Sequence, residues 1–204
     1  MTMSQFSYSS RTWQSRLAGW VLNLFGWKLL FSGLPAKRGV IVAYPHTSNW
    51  DFCVGMLAKW AMGIPASFLA KHTLFNIPVF GTWLKRVGGL PIDRRNPQGS
   101  VEQLKQLILQ TEELWILFTP EGTRKKTPGW RSGFYRLAKQ AQLPIGVAVL
   151  DFKNKEVGIV EFFEPSDNED VDLEILRQIY AGRVGCRPEL ASPIIFWSPS
   201  AGDS

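Results

Sequence analysis

Cysteine and histidine are scarce in this 204-residue sequence, which has two of each. Cys53 and Cys186 are too few for a disulfide framework, and neither lies in a C-x-x-C pair. The cysteines and histidines together lack the spacing of a zinc site, so we expect no bound metal. No signal-peptide cleavage pattern follows the first apolar stretch, which favours a reducing, cytoplasmic environment.

Acidic residues are nearly missing from the first 92 positions, which hold nine basic residues and one acid, Asp51. The rest of the chain is close to balanced, with 14 basic and 16 acidic residues. This asymmetry predicts that the first half binds an anionic partner, namely a phosphate, a nucleic acid or a lipid surface.

A long hydrophobic run is also missing. The most apolar stretch, Leu17–Phe31, has 15 residues, whereas a membrane-spanning helix needs about 20. Spacings of four and three residues predict a helix with one apolar face, formed by Trp13, Leu17, Trp20, Leu24, Trp27 and Phe31. Flanking basic residues favour a helix lying at the headgroup boundary of a membrane; they are Arg11, Arg16, Lys37 and Arg38. Packing of this helix against the protein core is the alternative.

Strand and helix patterns alternate after Gly39, which predicts an α/β fold with a largely parallel central sheet covered by helices. We assign residues 1–38 to a tail and the apolar helix, and residues 39–204 to the main domain. The predicted strands are Val40–Ala43, Ala66–Ala70, Val87–Ile92, Leu114–Phe118, Ile145–Phe152 and Val157–Phe163. The predicted helices are Asp51–Met62, one beginning at Pro97, Phe134–Ala141 and Val171–Tyr180, with a loop over Asn76–Gly81. The last two strands suit an antiparallel hairpin at the sheet edge.

His46 and Asp51 lie between a predicted strand and a predicted helix. With a turn between them, Asp51 in the first helical turn can accept a hydrogen bond from His46 Nδ1–H. That contact leaves Nε2 free to act as a base. The alternative is an aspartate that caps the helix beside a loop histidine.

Two basic segments also lie at the carboxyl ends of predicted strands, where open α/β sheets bind ligands. Gly88–Arg95 ends in two arginines, whose guanidinium groups match phosphate oxygens. Thr119–Arg124 continues into a loop with Lys125, Lys126 and Arg131, which also suits phosphates. The alternatives are a surface arginine pair and a solvated ion pair between Glu121 and Arg124.

The order of these segments resembles the PlsC-like glycerolipid acyltransferase family. Its four blocks correspond to His46–Asp51 (H-x4-D), Gly88–Arg94, Phe118–Arg124 and the Pro-containing apolar segment Leu143–Val149. The resemblance covers about Val40–Phe152. Departures from the pattern occur at Pro91, Thr119 and Val147.

The resemblance implies acyl transfer from acyl-CoA or acyl-carrier protein to the hydroxyl of a lysophosphatidic acid-like acceptor, without a cofactor. His46 would be the general base, oriented by Asp51. Substrate-binding residues would be Lys71, Arg94, Glu121, Gly122, Thr123 and Arg124, with N–H groups around Gly122 as candidate oxyanion donors. The protein would be peripheral, on the cytoplasmic side of a membrane that it contacts through its first helix.

Two other functions fit the sequence. The departures in the second and fourth blocks suit an acyltransferase for another acceptor, such as a lyso-aminolipid or another alcohol or amine. A non-catalytic basic module that binds membranes or nucleic acid fits the charge asymmetry. Because no nucleic-acid motif occurs and the aromatic residues concentrate on an apolar helix, we expect no nucleic-acid partner.

Overall fold

The computed structural model describes residues 12–92 and 97–197. Within these ranges, one sheet contains seven strands: β1 (Lys28–Leu30), β2 (Arg38–Tyr44), β3 (Ala66–Lys71), β4 (Gly89–Ile92), β5 (Leu114–Phe118), β6 (Ile145–Asp151) and β7 (Glu156–Phe163). The helices are α1 (Trp13–Leu24), α2 (Trp50–Met62), α3 (Phe80–Arg86), α4 (Pro97–Gln110), α5 (Gly133–Ala141) and α6 (Glu169–Tyr180). Short 3-10 helices cover His72–Asn76 and Pro188–Leu190.

The strand order is β1-β7-β6-β2-β5-β3-β4. All neighbouring strands run parallel except β6 and β7. The predicted α/β fold with a largely parallel sheet is therefore confirmed, as is the antiparallel hairpin. The hairpin does not lie at the sheet edge, however, because β1 pairs with β7 on its outer side. The sequence pattern missed β1 because its residues continue the apolar spacing of the preceding helix.

The prediction of an apolar helix as far as Phe31 was wrong. Helix α1 ends at Leu24, and Gly26 then adopts a φ of 75°, a left-handed conformation that commonly ends helices. Trp27 turns inward instead of continuing the helical face, and its ring packs edge-on against Phe152 with 5.0 Å between centroids. Arg11, one of the flanking basic residues, lies outside the described residues.

The predicted loop Asn76–Gly81 was wrong in part, because its last residues begin α3. Pro78 and Gly81 suggested a chain reversal. Gly81 is needed for a different reason: a Cβ atom there would lie 2.2 Å from the carbonyl oxygen of Phe75. The glycine thus permits close packing of α3 on the preceding 3-10 turn.

The sheet is buried on both faces. Along β2, Val40 and Val42 belong to a core beneath α4, α5 and α6, while Ile41 and Ala43 belong to a second core beneath α1 and α2. Successive side chains of a strand point to opposite faces, so a strand between two helical layers is apolar throughout. The two helical layers hold the central strands in place, and with them the start of the loops that follow β2, β3 and β5.

Candidate active site

Three loops meet at the carboxyl ends of β2, β5 and β3. These strands lie side by side because β2 pairs in parallel with β5, and β5 pairs in parallel with β3. His46 follows β2, Glu121 lies just after β5, and Lys71 ends β3. The sheet topology therefore brings together segments that are far apart in sequence.

His46 and Asp51 are in contact across the turn that opens α2. Asp51 Oδ2 lies 3.2 Å from His46 Nδ1 and accepts hydrogen bonds from the N–H groups of Thr47 (2.6 Å) and Ser48 (2.8 Å). The Asp51 side chain is 1% exposed, whereas that of His46 is 16% exposed. The main chain thus holds the carboxylate in place, and the contact at Nδ1 leaves Nε2 as the nitrogen available to a substrate.

Glu121 is buried and bridges two segments of main chain. Its Oε2 accepts the His46 N–H at 2.7 Å, and its Oε1 accepts the Ser192 N–H at 3.0 Å. Burial raises the pKa of Glu121 above its ordinary value, against the lowering effect of these two hydrogen bonds. The contacts of this carboxylate are therefore with the loop that carries His46, and not with Arg124.

The loop after β5 uses Gly122 to turn. Gly122 has a φ of 68°, and its N–H donates to the carbonyl oxygen of Thr119 at 2.9 Å. The Gly122 N–H is thus engaged within the turn, and the proposal that N–H groups around Gly122 act as oxyanion donors stays a prediction. The Arg131 side chain lies over Gly122, where an added Cβ atom would be 3.2 Å from Arg131 Nε.

A cavity of about 1080 Å³ opens beside His46 and Asp51. Its mouth is polar and basic, with Lys71, Gly122, Thr123, Arg124 and Arg131 among its lining residues. Its lining also includes an apolar wall from α2, the 3-10 turn and α3, with Phe52, Met56, Met62, Leu74, Phe80 and Leu84. Within residues 12–92 and 97–197, none of the three cations at the mouth forms a salt bridge. Arg94, the other predicted phosphate ligand, lies outside the described residues.

A segment from the C-terminal side crosses the site, and no sequence pattern predicts it. We call residues 184–197 the C-terminal strap. Its Arg187 N–H donates to Thr47 Oγ1 (3.1 Å), and Ser192 contacts both Glu121 and Thr127. The strap lacks a periodic apolar pattern, and Ser192 is 71 residues from Glu121 along the chain, so no local signal could have placed it.

Comparison with known proteins assigns the family. The family model described as Acyltransferase matches residues 31–150, which include the His46, Lys71 and Glu121 segments. This chain belongs to the acyltransferase family. The strap lies beyond the part of the chain that is matched.

Known relatives of this acyltransferase-family chain are 1-acyl-sn-glycerol-3-phosphate acyltransferases. The protein of that name from Cocos nucifera is 26% identical over 170 residues, which cover 74% of this chain and 54% of the relative. The one from Streptococcus pneumoniae is 30% identical over 106 residues, covering 52% of this chain and 39% of the relative. The chain thus matches about half or less of the length of these curated relatives.

The fold also matches a solved structure. The 1-acyl-sn-glycerophosphate (LPA) acyltransferase PlsC from Thermotoga maritima aligns with a TM-score of 0.53, over 81% of this chain and 74% of that chain. The sequence identity is 16%, so the similarity concerns the fold. Among the described residues, no helix combines the length and the apolar character needed to cross a bilayer.

Proposed function

We propose that the protein transfers a fatty acyl group from a thioester donor, acyl-CoA or acyl-carrier protein, to the hydroxyl of a lysophosphatidic acid-like acceptor. The observation that carries this proposal is the contact between His46 Nδ1 and Asp51 Oδ2 at the mouth of a large cavity with a basic rim. Family membership and the names of the relatives support it.

The chemistry begins with the acceptor hydroxyl, which is too weak an acid to lose its proton unaided near neutral pH. His46 Nε2 takes the hydroxyl proton while the oxygen attacks the thioester carbon, a contribution of typically 10²–10⁴-fold for a positioned base. Asp51 stabilises the resulting imidazolium. The new C–O bond replaces the C–S bond, and the sulfur receives the proton from His46 and leaves as a thiol.

Direct attack by the acceptor agrees with the contacts of Ser48, a serine two residues after His46. Ser48 Oγ accepts the Trp50 N–H at 3.2 Å, and the Ser48 N–H donates to Asp51. Ser48 thereby helps to build the start of α2. We assign it no role as a nucleophile.

Charge at the cavity mouth suits a phosphate on the acceptor. Lys71, Arg124 and Arg131 line the mouth without acidic partners in the described parts of the chain. Guanidinium groups bind phosphate oxygens through paired hydrogen bonds. We assign the acceptor phosphate to these cations, and the fatty chain of the donor to the apolar wall below them.

An exposed apolar surface on α1 and at the start of α2 suits a lipid bilayer. Helix α1 packs on α2 through a narrow strip of Ser15, Ala18 and Leu22, so the wide aromatic side faces outward. Trp13 is 72% exposed and Trp20 is 60% exposed, and Leu17, Leu24, Phe25 and Trp50 are exposed as well. We propose that this surface, the α1 face, holds the protein on the cytoplasmic side of the membrane that contains its lipid substrates.

The test is a thiol-release assay with acyl-CoA and acyl-carrier protein over a panel of lysolipids, with the lipid products identified by mass spectrometry. We expect His46→Ala to lose activity by at least about 10²-fold, because the base is removed. Asp51→Asn should lower kcat by a comparable factor, because the imidazolium loses its counter-charge. Both variants should keep the native circular dichroism spectrum.

His72→Ala is the matched control, since His72 is the other histidine and does not line the cavity. It should retain wild-type activity. Full activity of His46→Ala would contradict the mechanism. Turnover with a lyso-aminolipid but not with lysophosphatidic acid would contradict the proposed acceptor.

A further inference from the structure

A second recess of about 340 Å³ lies on the outer side of the loop between β2 and α2. Its walls come from that loop, from the loop after β5 and from the C-terminal strap. Three cationic side chains line it: Arg124, Lys125 and Arg187. We call it the basic recess.

The charge of the basic recess is uncompensated. None of its three cations forms a salt bridge with any residue that the structure describes, and its lining includes no acidic residue. The neutral part of the lining includes Thr47 and Ser48. Such a site favours an anionic ligand of the phosphate type.

The strap holds Arg187 in place by its main chain, and the side chain forms no hydrogen bond or salt bridge with the residues that the structure describes. The Arg187 N–H donates to the buried Thr47 Oγ1, and Gly185 lies so close that an added Cβ atom would be 2.9 Å from the same oxygen. Ser192 anchors the other end of the segment to Glu121. The recess is therefore preformed, which lowers the entropic cost of binding.

We infer that the basic recess binds the phosphate-bearing pantetheine arm of the thioester donor. This inference rests on the proposed function, in which both substrates carry phosphate. The cavity mouth has its own cations for the acceptor phosphate, Lys71 and Arg131, and Arg124 lines both sites. When the acyl chain of the donor lies in the cavity, its thioester lies at His46 and the rest of the donor lies outside the cavity. Arg124 lines both the cavity and the basic recess, so the arm can extend past Arg124 to Arg187.

The test compares Arg187→Ala with the wild type in calorimetric binding of CoA, dephospho-CoA and pantetheine. We expect Arg187→Ala to weaken CoA binding roughly tenfold or more, the usual effect of losing a charge-assisted hydrogen bond. Pantetheine, which carries no phosphate, should bind both proteins equally. Dephospho-CoA lacks the ribose phosphate of CoA but keeps the phosphates of the arm. If Arg187→Ala also binds dephospho-CoA more weakly than the wild type does, Arg187 contacts the arm.

Kinetics supply an independent readout. Arg187→Ala should raise the KM for acyl-CoA and leave the KM for the acceptor and kcat nearly unchanged. Lys153→Ala is the control, because it removes one positive charge from the exposed turn between β6 and β7. It should match the wild type in every measurement.

Each remaining outcome counts against one of the two proposals. A higher KM for the acceptor alone, equal CoA affinity in wild type and Arg187→Ala, or no CoA binding by the wild type would overturn the donor site. Suppose that Arg187→Ala binds CoA more weakly but the wild type turns over no thioester. That result would support CoA binding at the basic recess and would contradict the proposed acyl transfer.

Discussion

Glu121→Gln is the change that best tests how the site is held together. The carboxylate is 1% exposed and accepts hydrogen bonds from two main-chain N–H groups, those of His46 and Ser192. A glutamine of the same shape keeps one acceptor oxygen but presents an NH2 group to the second N–H. One buried donor therefore loses its partner, whichever way the amide turns.

The expected cost follows from that lost partner. A buried donor left without an acceptor costs about 1–3 kcal/mol. For chains of 150–250 residues, each kcal/mol lowers Tm by about 2–4 °C, so Glu121→Gln should lower Tm by roughly 2–12 °C. Activity should also fall, because the main chain at His46 is no longer fixed.

Thermal unfolding and the thiol-release assay measure the two effects. Glu112→Gln is the matched control, since Glu112 has a side chain that is 82% exposed and pairs with Lys37 at the surface. Exposed pairs of this kind are worth about 0–1 kcal/mol, so the control should unfold close to the wild-type temperature. Equal Tm values for Glu121→Gln and the wild type would refute the bridging role.

The pH dependence gives a second signature of the same group. Burial raises the pKa of Glu121 above its ordinary value of 4.5. Between the ordinary and the raised pKa, the folded state binds more protons than the unfolded state. The free energy of unfolding therefore falls as pH rises through that interval. Glu121→Gln should lack this component, and an unchanged pH profile would contradict the assignment.

Two further predictions concern α2 and α1. Burial lowers the pKa of Lys59 to about 8, below its ordinary value of 10.5. Between these pH values the folded state binds fewer protons than the unfolded state, so the free energy of unfolding should rise from about pH 8 to about pH 10.5. Urea denaturation measures this rise, and Lys59→Met should lack it. Replacing Leu17 and Trp20 by serine should weaken sedimentation of the protein with anionic phospholipid vesicles. Val171→Ser, at an exposed position on α6, is the control and should sediment like the wild type. Equal sedimentation of the wild type, the double variant and the control would contradict the membrane role of the α1 face.

Sequence patterns predicted the central elements well, because their signals are local. The strand Leu114–Phe118 has the predicted bounds, and the helix that follows His46 begins within one residue of the predicted start. His46 and Asp51 could be paired from the sequence because a single turn separates them. Apolar periodicity and short spacing carry this kind of information directly.

Apolar spacing failed where tertiary packing decides the role of an aromatic side chain. Trp27 and Phe31 continue the helical spacing of Trp20, but Gly26 ends the helix and both residues pack against the core beneath α2. The predicted face was therefore split: its first four members are exposed on α1, and the last two are partly buried. Different members of the same pattern therefore lie in two environments: exposed on the surface of α1, and packed against the core.

Long-range contacts explain what the motifs left out. Glu121 belongs to a recognisable block, but its partners, the His46 and Ser192 N–H groups, lie 75 and 71 residues away. Backbone N–H groups carry no sequence signature. The place of Glu121 among the substrate-binding residues is implied by the family resemblance, whereas its contacts in the structure are with the two segments that flank the site.

The strap is linked through these contacts to the loop that carries His46. Glu121 joins the strap to the His46 main chain. The Arg187 N–H joins it to Thr47, whose own N–H donates to Asp51, and Asp51 contacts the His46 imidazole. Two routes of hydrogen bonds therefore lead from the strap to the imidazole, one through each side of the loop. Loss of Glu121 breaks one of these routes and should therefore affect catalysis. Loss of the Arg187 side chain leaves both routes intact and should affect donor affinity alone.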